Sequence, residues 1–107
     1  MAASLCIVSG KKLQTIDMKG LTPLGLTLDR DGNILVTEDK KHSIRKFSPK
    51  GQLLASVGTE GSGQLQFDGP RDIAVNTSNN KICVADNGNH RIQVLNSDLT
   101  FSASLGK

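Results

Sequence analysis

The stretch Asp68-Gly-Pro-Arg-Asp-Ile-Ala-Val-Asn76, continued by Lys81-Ile-Cys-Val-Ala-Asp-Asn-Gly-Asn-His-Arg-Ile-Gln-Val-Leu95, decides the fold. It holds three short apolar runs, Ile73–Val75, Ile82–Ala85 and Ile92–Leu95. Between them stand Asn76-Thr-Ser-Asn-Asn80 and Asp86-Asn-Gly-Asn-His90, clusters of residues that accept positive φ or bond their own backbone. Runs this short, bounded in this way, read as antiparallel strands rather than helices.

The stretch has an earlier counterpart. Thr22-Pro-Leu-Gly-Leu-Thr-Leu-Asp29 precedes Gly69–Asn76 by 47 residues, and Ile34-Leu-Val-Thr-Glu-Asp39 precedes Ile82–Asn87 by 48. The one-residue change falls in a turn, where insertions are tolerated. From there the register holds: His42 meets His90, Ile44 meets Ile92, Phe47 meets Leu95 and Gly58 meets Gly106. Each copy spells four strands. The first has Leu24–Leu28, Ile34–Thr37, Ile44–Phe47 and Leu53–Val57; the second ends on Phe101–Leu105. Leu5–Val8 and Leu13–Ile16 match the last two strands of a unit, so the chain is expected to begin in mid-repeat.

Four-stranded β units at a constant period are propeller blades. The expected fold is all-β, a partial β-propeller with two complete four-stranded antiparallel blades and the last two strands of a preceding one. The divisions are residues 1–21 (half-blade and connector), 22–58 (first blade), 59–68 (connector) and 69–107 (second blade). Phe67, alone in a polar connector, is expected to plug against the next unit.

Gly69-Pro-Arg-Asp-Ile-Ala-Val, Val84-Ala-Asp-Asn-Gly-Asn-His-Arg-Ile-Gln-Val and Ser104-Leu-Gly106 together resemble the NHL repeat, with Asn89-His90-Arg91 at the signature place. The first copy is a degenerate match, keeping only the histidine in Lys41-His42-Ser43. The resemblance implies a closed propeller, typically of six blades, so further blades from a longer parent chain, or self-association, are expected as partners. It is most like the NHL region of tripartite-motif proteins. That implies a non-catalytic module: a protein-binding, substrate-recognition scaffold of a ubiquitin-ligase-like protein, with a ubiquitination target as partner. RNA binding is the alternative. A metal-dependent lyase or hydrolase, including the amidating-lyase activity known among NHL relatives, is the least favoured reading. The chain has no tyrosine to act as acid or base, and no motif places a Ser-His-Asp set.

By the same resemblance, the turn between the second and third strands and the connector lie on one rim. Lys40, Lys41, His42, Arg45, Arg71, His90 and Arg91 are therefore the candidate partner-binding residues, for protein or single-stranded RNA. No catalytic, cofactor-binding or metal-binding residue is assigned. His42 and His90 are each expected to tie down their own turn. Glu38, Asp39 and Asp86 are expected to accept N–H groups of the turn that follows.

Net charge is +3, which permits an anionic partner without demanding one. Aromatic residues make up 3% of the chain, so aliphatic side chains must carry the core. Cys6 and Cys83 sit in apolar runs and read as two reduced core thiols, with a disulfide between them as the alternative. No leader segment, disulfide framework or membrane span is apparent, and the expected location is cytoplasmic.

Overall fold

A computed structural model describes the backbone of residues 4–9 and 12–17 and the whole of residues 23–106. Strands β1 (Ser4–Ser9) and β2 (Lys12–Asp17) form an antiparallel hairpin, with Leu5 opposite Ile16 and Ile7 opposite Gln14. The first four-stranded sheet runs in the order β3 (Pro23–Leu28), β4 (Ile34–Glu38), β5 (Ser43–Phe47), β6 (Leu53–Val57). Two short strands, β7 (Thr59–Glu60) and β8 (Gln66–Phe67), pair in parallel within the connector, an element the polar sequence there does not announce. The second sheet repeats the first with β9 (Pro70–Asn76), β10 (Lys81–Asp86), β11 (Arg91–Leu95) and β12 (Phe101–Gly106). Every pairing within the two large sheets is antiparallel. This is a partial β-propeller.

Strand alternation sorts each sheet into two faces. Leu35, Thr37, Ile44 and Lys46 share the face of the first blade that meets the second. Ile73, Val75, Ile82, Val84 and Leu95 are the answering face of the second blade. Leu35, Ile44, Phe67, Ile73, Ile82, Val84, Leu95 and Leu99 form one continuous core, so the hydrophobic centre lies between the sheets. The opposite face of the first blade is also buried at Ile34, Val36 and Phe47.

A hydrogen-bond lock holds the inner edges of the blades together. The Thr37 hydroxyl, fully buried, accepts from Gly25 N–H at 2.7 Å and donates to the Arg71 carbonyl at 2.6 Å. Gly25 is required here because a Cβ at that position would run into the Arg71 carbonyl. Replacing Thr37 with valine keeps the shape but removes the bridge between two partly covered backbone groups, and is expected to cost about 1 kcal/mol. Urea unfolding of the variant measures this. An unchanged midpoint would show that the lock adds nothing.

At the far end of the second blade, Asn96–Thr100 makes the last turn. The hydroxyl and then the N–H of Thr100 hydrogen-bond the exposed Asp98 carboxylate and hold its pKa below the ordinary value. Cys83 is a free, half-buried thiol, and the Cys6 side chain lies outside the described residues.

Candidate functional site

The turns between the second and third strands of each blade are three-residue 3-10 turns, Asp39–Lys41 and Asn87–Asn89. Each closes on a histidine in the left-handed region, His42 at φ 51° and His90 at φ 53°. Their own N–H groups bond back to the Asp39 and Asn87 carbonyls. The backbone, not the imidazole, therefore ties down each turn. The His42 ring instead reaches forward: its Nδ1 accepts from Gly69 N–H at 3.1 Å, fastening the start of the next blade.

The acidic residues also depart from expectation. Asp86, fully buried, accepts from Asp68 N–H at 2.7 Å, Asn89 Nδ2 at 2.9 Å and Arg91 Nε at 2.9 Å. Its partners are a connector amide and two side chains. Glu38, equally buried, accepts from the Ser43 hydroxyl at 3.1 Å and faces Arg45 Nε at 3.2 Å, an ion-pair distance without hydrogen-bond alignment. Carboxylates at strand ends are being used to hold neighbouring segments, which a local turn pattern does not reveal.

Around Asp86 the second blade clamps the connector. Arg91 donates to the Ser62, Gly63 and Gln66 carbonyls, each at 2.8 Å. Asn89 donates to the Gly61 carbonyl at 2.8 Å, and Gly88 N–H to the Asp68 carbonyl at 2.7 Å. Buried Gln93 donates to the Gln66 carbonyl at 2.6 Å and accepts from Leu65 N–H at 3.1 Å. Asn89 and Gln93 lay outside the candidate set. The signal that points to them is the pairing of a glycine-rich connector with a polar strand that must satisfy its backbone groups.

The seven sequence candidates stand in different settings. Lys40 and Lys41 are exposed on the first turn, and Arg71 is exposed at the start of β9. His90 is exposed, whereas His42 lies partly covered beneath Gly69. Arg45 and Arg91 direct their guanidinium groups to buried carboxylates. The two turns and the connector do meet on one rim, through His42–Gly69 and Gly88–Asp68.

Concave surfaces lie beside the rim and along the outer face of the second blade. One, of about 380 Å³, is lined by Ala85, Asp86, Asn87, His90, Ile92 and Gly106 with Arg91 and Leu105. The other, of about 300 Å³, is lined by Asp72, Ala74, Cys83 and Ile92 with Ile73 and Ala85. Among the described residues no group of three or more His, Cys, Asp or Glu converges to hold a metal ion. A β-bulge opposes Arg71 and Asp72 to Ala85 alone and leaves both side chains exposed at the inner edge. Bulges of this kind re-aim side chains.

The fold and rim define a segment of a blade-repeat propeller. Residues 67–95, largely within the second blade, match the NHL repeat. The chain is 36% identical over 92 residues to mouse peptidyl-glycine alpha-amidating monooxygenase, covering 78% of this chain and 9% of that protein. It is 31% identical over 81 residues to a probable peptidyl-alpha-hydroxyglycine alpha-amidating lyase of Caenorhabditis elegans, covering 73% and 23%. Only a small part of each relative's length is therefore represented. Among solved structures, a Bacteroides caccae protein of unknown function superposes with a TM-score of 0.74 at 21% identity, over 98% of this chain and 39% of its own. The apo form of AztD from Citrobacter koseri gives 0.71 at 19%, over 98% and 29%. A Bacteroides fragilis protein described as exported gives 0.69 at 15%, over 99% and 28%.

These relatives correct the functional expectation. The curated ones are amidating enzymes by name, and nothing in the comparisons connects the chain to tripartite-motif proteins, ubiquitin transfer or RNA. Blade architecture alone does not separate these functions, because a fold hosts many functions. Among the described residues no helix is long and apolar enough to cross a membrane. A structural neighbour described as exported gives no support to the cytoplasmic expectation.

Proposed function

We propose that this chain is a wedge of an amidating-lyase-type propeller and that Arg71 and Asp72 line its substrate channel. One observation carries the reading: identity to two amidating enzymes runs over 78% and 73% of the chain, well beyond the repeat signature at residues 67–95. The substrate class is a peptide ending in α-hydroxyglycine. In such a cleavage the hydroxyl loses its proton, the carbon becomes the aldehyde of glyoxylate, and the C–N electron pair stays with nitrogen. That nitrogen takes a proton and leaves as the peptide amide.

Such a substrate carries a terminal carboxylate. Arg71 stands exposed on the inner strand of the second blade, with a planar donor fork suited to a carboxylate. Asp72 beside it is the titratable group nearest in sequence and is also exposed. The rest of the ring must supply the remaining chemistry.

The test is binding of an N-acylated α-hydroxyglycine to the purified chain, followed by calorimetry. Saturable binding is expected, and Arg71→Ala is expected to weaken it about tenfold by loss of a charge-assisted contact. No binding by the folded chain, or equal binding by the Arg71→Ala variant, would overturn the reading.

A further inference from the structure

The turn between β9 and β10 carries a pattern that the amidating-lyase reading leaves unused. Asn76-Thr77-Ser78 reads Asn-x-Ser, the acceptor pattern for an N-linked glycan, and Asn76 is the one asparagine of seven that stands in it. Three residues can meet such a pattern by chance, and a buried or committed amide would silence it. Here neither holds. Asn76, Thr77 and Ser78 are all exposed. The Asn76 side-chain oxygen accepts from Ser78 N–H at 3.0 Å and from the Ser78 hydroxyl at 2.7 Å. A backbone N–H can only donate, so the atom it meets is the amide oxygen, and the nitrogen lies on the other side. Among the described residues that nitrogen has no hydrogen-bond partner.

The turn around it is fixed. The Asn76 carbonyl accepts from Asn80 N–H at 2.7 Å and from Asn79 N–H at 3.3 Å. Arg30 steadies the turn from the first blade, its N–H 3.4 Å from Asn80 Oδ1 and its guanidinium 3.5 Å from the Thr77 carbonyl. The neighbouring asparagines do not compete: Asn80 is 7% exposed, and Asn79 has Lys81 where the hydroxyl would be needed. Counting back 47 residues from Asn76 gives Asp29 in the first blade, which is buried. Its oxygens take the Asp31 and Asn33 N–H groups at 2.9 Å each and Asn33 Nδ2 at 3.0 Å. That turn is closed on itself, whereas the longer turn of the second blade leaves one amide nitrogen open to water.

We infer that Asn76 is the acceptor of an N-linked oligosaccharide. The donor is an oligosaccharide joined through its anomeric carbon to a lipid diphosphate, and the enzyme is an oligosaccharyltransferase. In the transfer, Asn76 Nδ2 forms a bond to the anomeric carbon as the carbon–oxygen bond to the diphosphate breaks. The electron pair of that bond leaves with the diphosphate, and Nδ2 gives up one proton to a base of the transferase. The Ser78 hydroxyl holds the amide plane so that the nitrogen is presented to solvent. The chain therefore meets the compartment in which such a transferase works.

The site is separate from the Arg71–Asp72 edge. Pro70 opposes Asp86 at one end of β9, and Asn76 opposes Lys81 at the other. Six residues of strand rise span about 20 Å. A glycan at Asn76 stands on the rim opposite the connector clamp, where it adds bulk and solubility. It leaves the clamp and the inner edge uncovered, and the inference is independent of the lyase reading.

The test uses the purified, folded full chain with a eukaryotic oligosaccharyltransferase and its lipid-diphosphate oligosaccharide. A short Asn-x-Thr peptide in the same tube reports that the enzyme is active. The intact mass of the chain is expected to rise by one glycan, and peptide mapping should place it on residue 76. Asn76→Gln and Ser78→Ala are each expected to lose the mass gain entirely, whereas Ser78→Thr should keep it. The glycosylated chain should unfold in urea at the midpoint of the parent or above, since the modified nitrogen has no bond to lose. No mass gain while the control peptide is modified would overturn the inference. So would a gain that survives Ser78→Ala, a glycan on another asparagine, or a lowered unfolding midpoint on modification.

Discussion

Asp86→Ala is expected to lower the unfolding free energy by about 3–5 kcal/mol, the usual cost of breaking a buried ion pair from one side. The carboxylate has no solvent exposure and the Arg91 side chain is only 10% exposed, so water cannot replace what is lost. Three donors lose their acceptor together: Asp68 N–H, Asn89 Nδ2 and Arg91 Nε. Arg91 keeps its bonds to Ser62, Gly63 and Gln66, which holds the loss near the lower end of that range. Asp86→Asn separates charge from hydrogen bonding. It retains an oxygen for Asp68 N–H while removing the ionic partner, and should cost less, about 1–3 kcal/mol. Urea unfolding of the parent and both variants checks the order. The Asp68 amide should exchange faster in the alanine variant than in the parent. A loss below about 1 kcal/mol for alanine would mean that Asp86 is not the keystone of the connector clamp.

Phe67→Ala is the second large effect, at about 3–5 kcal/mol, the range for emptying a buried aromatic position. The ring lies between a blade that receives it and a blade whose connector delivers it, within the core shared by Ile44, Ile73 and Val84. The cavity opens at the junction and not within one sheet. The consequence extends beyond stability, because the two blades are expected to lose cooperativity. In repeat proteins each unit is stabilised mainly by its neighbours, so weakening one junction lets one blade unfold before the other. Calorimetry reads this as a van't Hoff enthalpy below the calorimetric one. A single sharp transition with unchanged midpoint would refute the plug.

Gly58→Val tests the same junction from the receiving side. A side chain there meets the His42 carbonyl at 2.6 Å and the Phe67 ring at 2.9 Å, on a backbone at φ 117° that disfavours any Cβ. The substitution should mimic loss of the plug while leaving Phe67 in place.

Architecture was legible in the sequence because it rests on local, repeated signals. The alternating Leu24, Leu26 and Leu28, the turn clusters at Asn76–Asn80 and Asp86–His90, and the 48-residue register between His42 and His90 need no distant partner to be read. Phe67 was legible for a similar reason: a lone aromatic in a polar connector must find cover. The 3-10 turns fall within the segments read as turns, differing in conformation rather than in place.

The site was less legible because its contacts span long sequence separations. Arg91 reads as a rim cation in sequence, yet folding brings it against Asp86 and three connector carbonyls, which engage most of its N–H donors. His42 reads as the fastener of its own turn, yet its ring serves Gly69, 27 residues on. Such pairings depend on how one blade stacks on the next, a spacing set by the core and by the Thr37 lock. By itself the amino-acid order determined the strands, their turns and the period of the repeat, since each is governed by neighbours within a few residues. Which charges stay free, which carboxylates become anchors and which cleft stands open were decided only when the sheets packed, because burial and partner choice belong to surfaces from separate parts of the chain.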